Sequence, residues 1–324
     1  MNGVEMIAFG PVPSRRLGNS LGINHISAKH CSYSCVYCQV GRTTHMEVAR
    51  KEYYPVDQIL ADVERKITEY TKTGKVIDYL TFVPDGEPTL DINLGTLIDK
   101  LIPFGIPIAV ISNVSLINRQ DVQEELLRAD WVSLKVDSVD EHIWRKINRP
   151  HHGLSLAQIL DGMLSFRKIF RGELVTETML VADLNDNELA ARQLCGFLLE
   201  LQPFKSYLSI PTRPPIETWA TSPSPDSLNE VLKICSDRLP LMDFLFDVEV
   251  GEFSSTGNLA EDILAITAVH PLREKALKEM ISTAGRTWEL VYNLLAAGEI
   301  SCINYRDENY YLRQSRNKAK KINN

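Results

Sequence analysis

The sequence predicts an α/β protein built on parallel strands, with a small unit appended at its carboxyl end. Three observations carry this. From residue 20 onward, short β-branched or apolar runs alternate with longer amphipathic stretches, as strands and helices do in parallel α/β folds. A Pro- and Ser-rich stretch after Arg213, TRPPIETWATSPSPDS, breaks that alternation, because proline removes donors and disfavours helix before it. Beyond residue 258 the chain reads as three helical stretches and two β-rich runs around a polar turn.

Taken in order, six strands are expected: Ser20 to Ile26, Ile77 to Val83, Pro107 to Ser112, Trp131 to Val136, Leu174 to Val181 and Tyr207 to Pro211. Helical segments lie between them. In the segment from Val56 to Thr71, apolar Val56, Ile59, Leu60, Val63 and Ile67 recur at the spacing of one buried helix face. Right-handed crossovers through such helices give an open doubly wound sheet or a barrel, and strand number does not choose between them. In both, the carboxyl ends of the strands open on one edge, where loops converge into a site.

After the run Phe244 to Val250, the stretch SSTGN (254–258) reads as a linker, placing one domain at 1–253 and a second at 254–324. The second has helical stretches Ala260 to Val269, Leu272 to Ser282 and Trp288 to Ala297, then ISCINYRDENYYLR. Three helices and a hairpin resemble a winged helix. The third helix, TWELVYNLLAAG, offers few side chains able to read base edges, so a scaffold, or a surface that docks protein or nucleic acid, is expected. The basic tail RNKAKKINN reads as a solvated terminus.

The 324 residues, 44% hydrophobic and 24% charged, can bury a core as an ordinary globular protein does. With 35 Lys plus Arg against 42 Asp plus Glu, the formal net charge is -7, which excludes a globally basic nucleic-acid surface. No apolar run approaches the ~20 residues of a membrane span, and the amino terminus lacks a signal core, so a cytoplasmic protein without membrane contact is expected. Six cysteines in such a chain suggest no disulfide framework. Cys195, Cys235 and Cys302 lie singly in apolar stretches and read as small buried hydrophobes.

The other three crowd into LGINHISAKHCSYSCVYCQVGRT, where Cys31, Cys35 and Cys38 follow the first strand and sit on the loop at its carboxyl end. Thiolates on one short loop can converge on a metal centre. An iron-sulfur cluster uses such thiolates, whereas structural zinc wants four ligands in closed tetrahedral geometry. A zinc reading would recruit His30 or His45 as the fourth. Three protein ligands on a cluster leave one iron open to an exchangeable ligand.

Cysteines spaced by three and then two residues, with aromatic Tyr37 before the last, resemble the signature of the radical S-adenosylmethionine (SAM) superfamily. That resemblance implies a partial (β/α)6 TIM-like barrel, a [4Fe-4S] cluster on Cys31, Cys35 and Cys38, and SAM on the open iron. Gly86 and Glu87 of PDGEPTL match the family's Gly-Gly-Glu element, with Asp85 in place of the first glycine, and by resemblance meet SAM's amine. Ser112 and Asn113 of ISNVS occupy the place of polar groups around SAM's ribose. Lys135 and Asp137 of SLKVDS share one face on a two-residue period, where Lys can meet SAM's carboxylate and Asp can compensate. Glu177 and Arg213, also at strand ends, are candidates to face substrate.

The implied activity is one-electron reductive cleavage of SAM to methionine and a 5′-deoxyadenosyl radical, which takes hydrogen from an RNA, a peptide or a small metabolite. Such an oxidoreductase or transferase needs a one-electron reductant such as flavodoxin or ferredoxin. The segments FGPVPSRRLGNSLGIN, PDGEPTLD, INRPHHGLS and PTRPP look like a branch grouped near the tRNA wyosine synthetases. Those enzymes carry further amino-terminal cysteines and a Cys-Trp-Arg continuation, whereas this chain has no earlier cysteine and continues Cys38-Gln39-Val40. Two other classes stand beside this reading: an electron-transfer or redox-sensing protein whose winged unit binds nucleic acid or protein, and a zinc-stabilised binding module.

Overall fold

A computed structural model describes residues 7–245, 258–269, 272–305 and 308–313. In chain order its elements are β1 (Ala8–Ser14), β2 (Gly18–Ile23), β3 (His30–Cys31), β4 (His45–Met46), α1 (Val56–Thr71), β5 (Tyr79–Phe82), α2 (Leu94–Leu101), β6 (Ile108–Ser112), α3 (Gln120–Leu126), β7 (Trp131–Lys135), α4 (Glu141–Asn148), α5 (Leu156–Ile169), β8 (Glu173–Met179), α6 (Glu188–Leu201), β9 (Lys205–Ser209), α7 (Pro225–Ser236) and β10 (Met242–Phe244). The carboxyl-terminal unit adds α8 (Leu259–Val269), β11 (Leu272–Arg273), α9 (Glu274–Thr283), α10 (Glu289–Ala296), β12 (Ile300–Tyr305) and β13 (Glu308–Arg313).

The six expected strands are β2, β5, β6, β7, β8 and β9, joined in parallel and in that order, as a partial barrel requires. Two strands without a clear sequence signal extend the sheet. β10 adds in parallel to β9, and β1 pairs antiparallel with β2, with an irregularity between Phe9 and Val12. β1 contains Pro11 and Pro13, which look like breakers in sequence. A sheet edge accepts them because one side of an edge strand needs no ladder donors.

Strand alternation sorts the side chains into two faces. Leu80, Val110, Val132, Leu134, Leu174 and Leu208 join the main core with helix residues such as Ile59, Val63, Leu97, Phe166 and Leu194. The opposite face carries Ala109, Trp131, Val175 and Tyr207, which with Leu17 form a second apolar cluster toward the amino ends of the strands. Above that floor this inner face becomes polar, with Ser133, Lys135, Glu177 and Ser209.

In the carboxyl-terminal unit, β11, β13 and β12 form an antiparallel sheet beside α8, α9 and α10. The expected helix from Leu272 begins two residues later, because Leu272 and Arg273 pair with β13 first. The unit is fastened to the barrel through α1, where Lys66 and Asp262, 1% and 2% exposed, form an ion pair at 3.8 Å, and through Tyr310, whose hydroxyl donates to the Thr212 carbonyl at 2.7 Å. The expected domain boundary at 253/254, most of the runs 244–250 and 254–258, and the basic tail lie outside the described residues. Among those described, no helix is long and apolar enough to cross a membrane.

Cys195 on α6 and Cys235 on α7 are buried as expected, with their sulfurs 3.1 Å apart. Cys302 is a correction: it is exposed although it shares the side of buried Ile300 and stands opposite Tyr311, because β12 is an edge strand of a sheet only three strands wide and its flank is open to solvent.

Candidate cluster and cofactor site

The cysteine loop leaves the carboxyl end of β2 and is tied down on three sides. β3 pairs in parallel with β4, and the Glu47 N–H donates to the Cys31 carbonyl, which returns the loop to its start. The N–H groups of Ser34 and Val36 donate to the carbonyls of Asn148 and Ile147, which end α4 and have no partner inside that helix. The His151 N–H donates to the Ser32 carbonyl at 2.8 Å, so the INRPH segment lies along the loop. On the third side is Gly86. A Cβ there would stand 1.8 Å from the His30 carbonyl oxygen, so backbone of the PDGEP turn meets the loop where only glycine fits.

The three half-buried sulfurs each receive donors. The Asn113 amide Nδ2 lies 3.4 Å from Cys31 Sγ, and the Tyr33 backbone N–H also points there. Asn148 Nδ2 lies 3.4 Å from Cys35 Sγ, with the Tyr37 hydroxyl alongside. Backbone N–H groups of Val40 and Gly41 serve Cys38. Burial pushes all three thiols up, Cys35 to about 12 with the nearby Asp137 carboxylate adding to it, while these donors pull the other way. Donors aimed at sulfur favour the thiolate over the thiol, so the set fits a metal-bound state. Among the described residues no three His, Cys, Asp or Glu gather around a point that would suit a single ion. An iron-sulfur cluster, wider than one ion, takes thiolates that stand further apart.

Next to the sulfurs, Glu87 is 1% exposed and holds the end of β6. Its Oε1 accepts from Ser112 Oγ (2.7 Å), Thr89 Oγ1 (2.7 Å) and Thr89 N (3.1 Å), and its Oε2 accepts from Asn113 N (2.7 Å). Burial still leaves its carboxyl above the usual range despite those donors. Val114 then takes φ 62, a left-handed conformation rare for a β-branched residue, and this turn lets Asn113 Oδ1 accept from Ser115 N at 3.0 Å. The amide of Asn113 is thereby oriented with its nitrogen toward Cys31.

Asp137, 3% exposed, joins four elements. Its Oδ1 accepts from Met179 N (2.8 Å), and its Oδ2 accepts from Asn148 Nδ2 (2.6 Å) and from the Tyr37 hydroxyl. Lys135 Nζ lies 3.9 Å from Asp137 Oδ1, 2.9 Å from Glu177 Oε1 and 5.0 Å from the Tyr37 ring centre. Glu177 also takes Arg16 Nη1 at 2.5 Å, and Arg16 lies over the rings of Trp131 and Tyr207 on the floor. Burial alone would raise the Glu177 carboxyl, but Lys135 and Arg16 hold it well below the usual range. Burial likewise works against the Lys135 ammonium, and Glu177 and Asp137 outweigh it and raise its pKa.

The structure thus brings Tyr37, Gly86, Glu87, Ser112, Asn113, Lys135 and Asp137 together around the cysteine loop, with Glu177 engaged between Lys135 and Arg16. Arg213 sits elsewhere on the rim, donating to Gln39 Oε1 at 3.1 Å. It belongs to a strap whose sequence signals only a break. Within that strap Glu217 N donates to the Val36 carbonyl at 3.1 Å, Glu217 pairs with Arg42 and Arg149, and Ala220 packs on Val36 and Ile147. Arg16 and Asn148 are site residues that sequence reasoning misses: one comes from a hairpin turn, the other from the last turn of a helix, and neither place carries a local signal of a site.

The family model of the radical SAM superfamily matches residues 26–194, more than half of the chain and all three cysteines. The chain belongs to the radical SAM superfamily. It is 45% identical over 320 residues to the UPF0026 protein MJ1312 of Methanocaldococcus jannaschii, covering 98% of this chain and 99% of that one. In fold it is similar to a radical SAM methyltransferase from Sphaerobacter thermophilus, with TM-score 0.52 and 13% identity over 70% of this chain and 66% of that one. It is similar again to Streptococcus suis SuiB bound to S-adenosylmethionine, with TM-score 0.51 and 14% identity over 71% of this chain and 52% of that one. Radical SAM enzymes use a [4Fe-4S] cluster and SAM, which is the cofactor set the cysteine loop fits.

Proposed function

We propose that Cys31, Cys35 and Cys38 hold the cluster and that the chain cleaves SAM reductively, directing the 5′-deoxyadenosyl radical at a carbon–hydrogen bond of an RNA, peptide or small-metabolite substrate. That chemistry is supplied by the cluster and SAM, with one electron from a donor of the flavodoxin or ferredoxin kind. The chain's own residues bind, orient and exclude water. The observation that carries this reading is the set of N–H donors converging on all three sulfurs.

Glu87 and Ser112 fix the end of β6, so that Asn113 faces both the cysteine loop and the space beside it, where SAM's polar groups are expected. Gly86 keeps the PDGEP turn pressed to the loop. Lys135 offers a cation whose charge Glu177 and Asp137 already balance, so SAM's carboxylate would draw it from an existing pair. Tyr37 and Asp137 hold the middle of the loop, and the strap from Arg213 to Ala220 covers it from water. The carboxyl-terminal unit, with one helix, a strand, two helices and a hairpin in that order, has the element sequence of a winged helix, and its proposed role is docking of protein or nucleic acid.

Anaerobic reconstitution with iron and sulfide, reduction in the presence of SAM, and chromatography for 5′-deoxyadenosine test this. The wild-type chain should release that product and Cys35→Ala should not. A cluster-loaded, reduced wild-type sample that releases none overturns the proposal.

A further inference from the structure

We propose that Asn148 and Asn113 set the reduction potential of the cluster by donating amide hydrogens to the sulfurs of Cys35 and Cys31. The two come from different parts of the fold, the last turn of α4 and the end of β6, and each places Nδ2 at 3.4 Å from one sulfur. Neither amide is free to turn its oxygen there instead. In Asn148 the same nitrogen donates to Asp137 Oδ2 at 2.6 Å, and a carboxylate can only accept. In Asn113 the oxygen is committed to the Ser115 N–H, and the nitrogen also donates to Ser32 Oγ at 3.0 Å. Cys38 takes backbone donors, so the side-chain amides act on the other two ligands.

Hydrogen bonds to the sulfurs are one of the levers that set cluster potential, because they offset negative charge that grows on reduction. When one electron arrives from an external donor, no bond at the thiolates is made or broken, and the added charge is shared among iron, sulfide and thiolate. Two fixed donors stabilise that more negative state. Asn148 is 1% exposed, so its bond is shielded from water and felt at full strength. It also ties the potential to the Asp137 hub, because the same amide nitrogen serves carboxylate and sulfur. Both residues act through the cysteines and are therefore positioning residues.

The proposal rests on the three cysteines holding a cluster, which iron and acid-labile sulfide in the wild-type chain test separately. The direct test is a mediated redox titration of the reconstituted full chain without SAM, followed by the EPR signal of the reduced cluster. Asn148→Ala should lower the ratio of reduced to oxidised cluster at a fixed applied potential about tenfold, a shift of ~59 mV for one electron. Asn113→Ala should move it the same way, and so should Asn148→Asp, which keeps the side-chain shape but has at most one hydrogen to give, which the adjoining Asp137 carboxylate takes, leaving none for the sulfur. Arg145→Ala, on an exposed part of α4, should leave the potential unchanged. If all three asparagine variants load cluster and titrate with the wild-type midpoint, or lose cluster while the loaded fraction keeps that midpoint, the proposal is overturned.

Discussion

The Glu87 carboxylate accepts the backbone N–H of Asn113 at 2.7 Å, and through that one bond a buried acid on the loop after β5 fixes a residue that reaches Cys31 from β6. With Ser112 and Thr89 also donating, all of its partners are donors. Glu87→Gln puts an NH2 group where an acceptor stood. We expect a loss of about 1–3 kcal/mol in urea unfolding, the range for a buried polar group left facing the wrong partner, together with less iron bound per chain. Unchanged stability would mean that Glu87 does not brace β6.

Glu177 stands between two cations, Arg16 and Lys135, and its side chain is 15% exposed. Glu177→Gln leaves both with too little compensating charge and should destabilise by ~3 kcal/mol, as breaking partly buried pairs does. Adding Lys135→Met should recover part of that loss, so a double-mutant cycle by urea unfolding should show clear coupling. Additive losses would contradict the shared network.

His25, fully buried under the PDGEP turn, gives its Nε2 hydrogen to the Pro88 carbonyl at 3.2 Å and stands edge-on to Phe82. Burial pulls its pKa from 6.5 to about 4. The unfolded chain therefore takes up a proton below pH ~6.5 that the folded chain refuses until about 4, and stability falls across that window. Between pH 7 and pH 5 the loss from this group should be ~2 kcal/mol. Urea unfolding at the two pH values measures it, and His25→Gln should show a smaller loss. An equal loss in the variant would assign the acid sensitivity elsewhere.

Thiol reactivity should separate the cysteines into three classes. Cys302 is exposed, Cys31, Cys35 and Cys38 are half-buried on their loop, and Cys195 and Cys235 are buried against each other. In the cluster-loaded chain a thiol reagent should label Cys302 alone, and after unfolding with an iron chelator it should label all six. Mass mapping reads this directly. Fast labelling of Cys195 in the folded chain would contradict the packing of α6 on α7.

The parallel strands were legible because each is a short apolar run between amphipathic helices, and α1 matched its periodicity over its full length, Val56–Thr71. β1 was not, because its prolines signal a break and only the edge position, a tertiary fact, makes them acceptable. The cysteines, Gly86, Glu87 and Asn113 stood out in the sequence through their resemblance to the superfamily's motifs. Asn148 could not, since its place at the sulfur depends on the cysteine loop pairing with the exposed carbonyls that end α4. Arg16 was hidden for the same reason: only the curl of the sheet carries a hairpin turn beneath Glu177. The strap from Arg213 to Ala220 read correctly as irregular, and irregular backbone is what covers the loop.

If three cysteines hold a cluster with one iron open to SAM, the EPR spectrum of the reduced cluster responds to SAM. Adding SAM to the anaerobically reconstituted, reduced wild-type chain should change the line shape and g values, because the new ligand binds iron itself. A reduced cluster whose spectrum is the same with and without SAM, or a chain that takes up zinc and no iron, would mean that these cysteines do not hold such a cluster.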